Sequence, residues 1–221
     1  MMAAQGFRVA IDGPSGAGKS TIAKILANEL GIDYIDTGAM YRAIALKMLE
    51  NGIDIDADPA VLGEMLAHTD VDFAQGKTLL DGVDVSDRIR TAAVTDMASK
   101  SSALPQVREK LVVLQRAMGE KKAVIMDGRD IGTNVFPSAE VKFFMTASPE
   151  ERASRRWAEM KEKDPTVSFE AVLAAIEERD YNDSHRALNP LTKADDAIEI
   201  DTDGLDIESV TAILRARIES A

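Results

Sequence analysis

The stretch AIDGPSGAGKSTIAKILANELG, residues 10–31, decides the fold. An apolar run, Val9-Ala10-Ile11, ends at Asp12 and Gly13 and reads as a short buried strand breaking into a glycine-rich turn. Ile22, Ile25, Leu26 and Leu30 then recur every three or four residues and Gly31 supplies a stop, so a helix follows the turn. Between strand and helix, Gly13 to Ser20 satisfies GxxxxGK(S/T) in full. Successive backbone N–H groups of such a loop point at phosphate oxygens, and the helix dipole favours negative charge there. Gly13, Ser15, Gly16, Ala17, Gly18, Lys19, Ser20 and Thr21 are therefore the candidate cradle for a nucleoside triphosphate. Lys19 would reach the β and γ phosphates, and Ser20 would offer its hydroxyl oxygen to Mg²⁺.

Further along, IDYID (32–36), AVIMDGRDIG (123–132), VKFFMTAS (141–148) and AIEIDT (197–202) supply four more short apolar strands. Helical patterns fall between them: Tyr41, Ile44, Ala45, Met48 and Leu49 on one face, then 91–103, 106–119 and a final amphipathic helix over 206–220. Strands alternating with helices imply a three-layer α/β fold of the P-loop NTPase type, with a five-stranded parallel central sheet covered on both faces. Residues 53–90 differ in character: DIDADPA (54–60) is acidic and loop-like, and VDFAQGKTLLDGVDVSD (71–87) alternates between glycine turns as short antiparallel strands do. This segment reads as an insertion.

Composition narrows the functional classes. Acidic residues outnumber basic ones by 38 to 26, a formal charge of −12, which opposes attraction to nucleic-acid polymers or anionic membranes. No cysteine occurs, so disulfides and thiolate metal sites are excluded, and only His68 and His185 are available as imidazole ligands. The opening MMAAQGFRVAIDG has no basic region followed by a long apolar run, so a cytoplasmic protein is expected. Among triphosphate users, a GTPase switch would carry an Asn-Lys-x-Asp stretch after a strand, which is absent; a phosphotransferase and an ATP-driven motor or regulator stay open.

Transfer between two anionic substrates needs cations around the migrating group and exclusion of water. In SPEERASRRWAEMKEKDPT (148–166), Pro149 suits a helix start, and Arg152, Arg155 and Arg156 fall on one face, as in a lid. In the next helix Phe169, Val172, Leu173 and Ile176 form an apolar stripe, but the same spacing continues into Asp180 and Asp183. Arg179, Asp183 and Arg186 share a face there, so the stripe turns ionic where it enters a polar cleft. Asp127 lies at the carboxyl end of a strand, where open parallel sheets place their ligands, and could orient Mg²⁺ through water; Arg129 and Asp130 follow on the loop.

GPSGAGKS, DTGAMYR, VREKLVVLQR, DGRDIGT with VFP, and ERDYNDSHR occur in the order found in the bacterial cytidylate kinases, and the chain resembles that family from about residue 8 to beyond 200. The resemblance implies that Thr37, Tyr41 and Arg42 line the pocket of an acceptor nucleotide. It implies that Ser99, Arg108, Arg129 and Asp130 hold its base and phosphate, and Asp183 with Arg186 its sugar and phosphate. Thr37 stands where the family often has serine, and His185 where it is often more basic. A core of residues 1–62 and 121–221, an inserted monophosphate-binding domain over 63–120 and a short lid within about 149–165 are likewise implied.

The proposed base fits the residues, since cytosine presents an amino donor beside two acceptors and so suits a carboxylate next to an arginine or hydroxyl. The resulting expectation is a monomeric kinase that moves the γ-phosphoryl group of MgATP to CMP or dCMP in line, without a covalent enzyme intermediate. Lys19, Arg155, Arg156, Arg179 and Arg186 are the expected catalytic cations. A kinase for another small acceptor, such as shikimate, and a nonenzymatic nucleotide-binding regulator are the alternatives.

Overall fold

A computed structural model describes residues 6–74, 76–162 and 164–221. The opening five residues read for a leader, Gln75 of the expected hairpin and Lys163 of the expected lid lie outside the described residues. The elements are β1 (Arg8–Asp12), α1 (Lys19–Leu30), β2 (Asp33–Asp36), α2 (Thr37–Glu50), α3 (Pro59–Ala67), β3 (Val71–Ala74), β4 (Lys77–Leu80) and β5 (Val83–Asp84). They continue with α4 (Ala92–Ser101), α5 (Pro105–Lys121), β6 (Val124–Gly128), β7 (Val141–Thr146), α6 (Pro149–Lys161), α7 (Phe169–His185), β8 (Ile198–Asp201) and α8 (Ile207–Glu219). The chain divides into two compact units, one of residues up to Tyr34 and from Gly119 onward, the other Ile35–Met118.

The five strands expected from the sequence form one sheet in the order β2-β6-β1-β7-β8. β1 pairs in parallel with β6 and β7, and β7 with β8, so the carboxyl ends of β1 and β6 stand side by side, with Asp12 opposite Gly128. Val9, Ile11, Ile125, Phe143 and Met145 are buried against Ile22, Ala23 and Leu26 of α1 and Val210, Leu214 and Ile218 of α8. Each large side chain so buried contributes about 1.5–3 kcal/mol, and the near-continuous apolar strands are what a parallel sheet covered by helices requires.

β1 stops at Gly13 for a steric reason. Its φ is +146°, and a Cβ there would stand 2.0 Å from the carbonyl oxygen of Met145 on β7. Gly13→Ala is therefore expected to cost about 1–3 kcal/mol, and a melting temperature equal to wild type would contradict this packing. Gly31 ends α1 in the left-handed conformation (φ 66°), as its position implies.

α6 and α7 pair through Ala153, Val172 and Ile176, with Phe169 and Leu173 packed beside them, so the apolar stripe read from the sequence is the packed face. Trp157 meets Phe169 edge-on at 6.2 Å between centroids and donates to the Val167 carbonyl at 2.9 Å.

The second unit includes α2, which packs on α4, together with the antiparallel sheet β3-β4-β5. The acidic stretch read as loop is loop over 54–58, and a helix that periodicity did not announce starts at its end: Asp58 caps α3 by accepting from the Ala60 N–H at 2.8 Å, and Pro59 opens its first turn. Among the described residues no helix is long and apolar enough to cross a membrane.

Candidate active site

The loop between β1 and α1 carries Gly16 and Gly18 with φ of 81° and 85°, the backbone that turns successive N–H groups inward. Ala17 is buried under the loop, and Thr21 is exposed on the first turn of α1. The Lys19 ammonium crosses the loop to donate to the Pro14 carbonyl at 2.6 Å. Burial, then repulsion from Arg129, pushes its pKa down to about 7 against the pull of Asp127, Asp12 and Asp183.

Asp127, the last acidic residue of β6, accepts from Ser20 Oγ at 2.7 Å and from the Tyr34 hydroxyl at 2.9 Å. Serine hydroxyl and carboxylate are hard oxygen donors, which suits Mg²⁺, an ion held through one or two protein ligands together with substrate phosphates and water.

Beyond Asp127 the chain forms a π-helical turn over Ile131–Val135. The Asn134 and Val135 N–H groups both reach the Asp130 carbonyl, at 2.9 and 3.1 Å. Asp130 itself is buried and accepts from Arg186 at 3.1 Å on one oxygen and from the Asn134 amide at 3.0 Å on the other. Arg129 donates through Nε to Asp183 at 2.7 Å. Arg179 Nε and Arg186 Nη1 each stand 4.0 Å from the Asp183 carboxylate, which therefore meets three guanidinium groups. Burial alone would raise the Asp183 carboxyl, but Arg129, then Arg179, hold it below the usual carboxylate range. Burial likewise opposes the charge of Arg129, and Asp183 more than compensates. The ionic turn of the α7 stripe thus joins the loop after β6.

The arginines of α6 do not share one destination. Arg152 is buried, donating to Ala147 O at 2.9 Å, to Ser15 O on the phosphate loop at 3.1 Å and to Asp180 at 2.6 Å. Arg155 turns to the Thr202 carbonyl at 2.9 Å, and Arg156 is exposed and meets Glu159 at 3.4 Å. Spacing on one face does not bring these three cations to one point, because each finds a different acceptor.

In the second unit Asp36 caps α2, accepting from the Ala39 N–H at 2.8 Å, and pairs with Arg42 at 3.4 Å. Thr37, the first residue of α2, is buried. Arg108 is buried with its guanidinium 5.9 Å from the Tyr41 ring centroid, and it donates to the Ser102 carbonyl at 3.4 Å, three residues beyond half-buried Ser99.

Sequence reading missed Tyr34, Asn134 and Asp12 as participants. Asn134 lies four residues after Asp130, a spacing that would have linked them had a helical turn been expected there; Tyr34 gives no such signal.

A parallel sheet with a phosphate-binding loop at its carboxyl edge defines the P-loop NTPase fold. Solved shikimate kinases share it: that of Bacteroides thetaiotaomicron at 14% identity and a TM-score of 0.51 (96% of this chain, 98% of that one), and that of Acinetobacter baumannii, in complex with shikimate, at 14% and 0.50 (96% and 93%). The cytidylate kinase family profile matches residues 9–220. Cytidylate kinases of Lactobacillus johnsonii (51% identical over 210 residues, 93% of this chain and 91% of that protein) and Clostridioides difficile (46% over 210 residues, 95% and 97%) are close relatives. The chain belongs to the cytidylate kinase family.

Proposed function

We propose that the protein transfers the γ-phosphoryl group of ATP to CMP and dCMP, giving ADP and the corresponding diphosphate. The observation that carries the reading is that two anion-handling sets of the first unit are close enough for the charges of Arg129 and Asp183 to act on the Lys19 ammonium: the loop with Lys19, and the Arg129, Arg179 and Arg186 group around Asp183. A protein that only bound ATP would need the first set alone.

In this reading the loop amides and Lys19 grip the donor's phosphates, and Ser20, with Asp127 through water, would hold Mg²⁺, which when bound neutralises the phosphate oxygens. Arg129, Arg179 and Arg186 neutralise the acceptor and the migrating group. Arg155 and Arg156 join them once they exchange Thr202 and Glu159 for phosphate oxygens. The acceptor phosphate is already ionised, so no base is needed, and alignment with charge neutralisation does the catalysis. We take the second unit, which carries Thr37, Tyr41, Arg42, Ser99 and Arg108, as the monophosphate-binding part.

Asp130 reads the base. Its carboxylate would accept from the cytosine N4 amino group, whereas uracil would set its O4 acceptor against it. Asp130→Ala is accordingly expected to raise the KM for CMP at least tenfold while the affinity for ATP changes little. Equal losses on both substrates would remove Asp130 from base recognition. The assignment as a whole is tested by ADP release across CMP, dCMP, UMP, AMP and shikimate. CMP and dCMP should be turned over far faster than the rest; a preference for shikimate or AMP would overturn it.

A further inference from the structure

We propose that Asp12 is a positioning residue that sets where Arg129 and Asp130 stand relative to the phosphate loop, and so tunes acceptor selectivity from the donor side of the site. This rests on the reading of Asp130 as the group that addresses the acceptor base.

The geometry is specific. Asp12 closes β1 one residue before the phosphate loop and is 4% exposed. One of its carboxylate oxygens accepts from the Ile131 N–H at 2.8 Å and the other from the Gly132 N–H at 2.7 Å. Those donors are the first two N–H groups of the π-helical turn, which have no partner inside the turn, so Asp12 caps it from a different strand. π-helical turns of this kind concentrate at functional sites. Asp130 immediately precedes the two capped residues, and its carbonyl is the acceptor for Asn134 and Val135, so moving the cap moves Asp130.

Gly132 makes the fit close from the other side. A Cβ on it would stand 3.1 Å from Lys142 Cδ and 3.4 Å from Asp12 Oδ2. Lys142 is fixed in turn, its ammonium donating to the Pro137 carbonyl at 2.6 Å and to both oxygens of Asp196 at 2.8–2.9 Å. The turn is thus held between Asp12 on β1 and the Lys142 stem on β7. A carboxylate is the one short side chain that offers two acceptors here: asparagine would keep one and set an NH₂ against the other N–H. A misplacement of about 1 Å at a reacting centre is enough to cost up to about a hundredfold in rate.

The test uses the full chain with Asp12→Asn, Asp12→Ala and, as an independent way of displacing the same turn, Gly132→Ala. Asp130→Ala is a reference, and Leu214→Ala, a cavity under α8, is a control for lost stability. The readouts are the ratio of kcat/KM for CMP to that for UMP, the KM for CMP, and the Kd of a nonhydrolysable ATP analogue with Mg²⁺. Asp12→Ala and Gly132→Ala should lower the CMP-to-UMP ratio and raise the KM for CMP by about tenfold, Asp12→Asn by less, with analogue affinity within about threefold. Leu214→Ala should lower the melting temperature and leave the ratio alone.

A ratio unchanged in the Asp12 and Gly132 variants but reduced in Asp130→Ala overturns this inference alone. A ratio unchanged in Asp130→Ala sinks the base reading and this inference with it. Two other outcomes also overturn it: an equal fall of the ratio in Leu214→Ala, which makes the effect one of stability, and a larger loss of analogue binding than of CMP selectivity, which assigns Asp12 to Lys19.

Discussion

Replacing Lys19 by alanine is expected to lower kcat by about a thousandfold or more, with a melting temperature that holds or rises. Donors and cations aimed at charge developing in a transition state are worth about 10²–10⁵ in rate each. Lys19 is the sole ammonium group that the phosphate loop itself supplies. Its side chain is buried, and burial pushes its pKa from 10.5 down to about 7, so the folded chain carries a cation it would hold more easily unfolded. Alanine removes that cost together with one hydrogen bond to Pro14. The sign follows from proton counting. Between pH 7 and 10.5 the unfolded chain binds a proton at this residue that the folded chain does not, so wild-type stability gains from Lys19 as pH rises, and below pH 7 the full cost is present. The melting-temperature advantage of Lys19→Ala should therefore be greatest below pH 7 and shrink by pH 9.5. Scanning calorimetry beside steady-state kinetics reads both effects. Substantial turnover in the variant, or a melting temperature that drops by many degrees, would defeat the argument.

The parts of this molecule that were legible in the sequence are those where one local rule decides the outcome. Val9-Ala10-Ile11 is a buried strand because it can be little else, and GxxxxGK(S/T) between strand and helix admits one backbone path. The five strands, their helices and the α6–α7 stripe follow from periodicity alone. What escaped was set by tertiary partners. The three arginines of α6 share a face, yet Arg152 is drawn under the loop by Ser15 and Asp180 while Arg155 is drawn to Thr202, and neither acceptor is near in sequence. Asp12 looked like the end of a strand because its two partners lie 119 and 120 residues away. α3 was hidden by its acidic approach, although Asp58-Pro59 is a cap signal in itself. The π-helical turn after Asp130 has no sequence period that would announce it. Thr37, Tyr41, Arg42, Ser99 and Arg108 came from resemblance, since nothing in their spacing marks them as a group.

Asp183→Ala should be the most damaging single change to the fold. Its carboxylate is the common anion for Arg129, Arg179 and Arg186, one at 2.7 Å and two at 4.0 Å, in a site where the side chain is 12% exposed. Removing one partner of a buried ion pair leaves the other charge unpaired and costs about 3–5 kcal/mol. In a chain of this size that lowers the melting temperature by about 10 °C. Asp130 and Asp180 compensate only in part: the first already accepts from Arg186 and Asn134, and the second takes Arg152 on one of its oxygens. Asp183→Asn keeps one acceptor for Arg129 Nε and should lose about half as much. Acid offers a second check. The folded-state pKa of Asp183 lies below 3.8, so its contribution is complete above that pH and is lost as pH falls through the depressed value. The deficit of Asp183→Asn against wild type should then narrow under acid while that of a cavity variant such as Leu214→Ala stays constant. Were both deficits to follow the same curve, Asp183 would be a packing residue and the arginines would be neutralised elsewhere. Catalysis depends on the same balance, because three guanidinium groups set around one carboxylate can accept a second anion only while the first holds them in place. Turnover in Asp183→Ala should accordingly fall even at temperatures where the variant is fully folded.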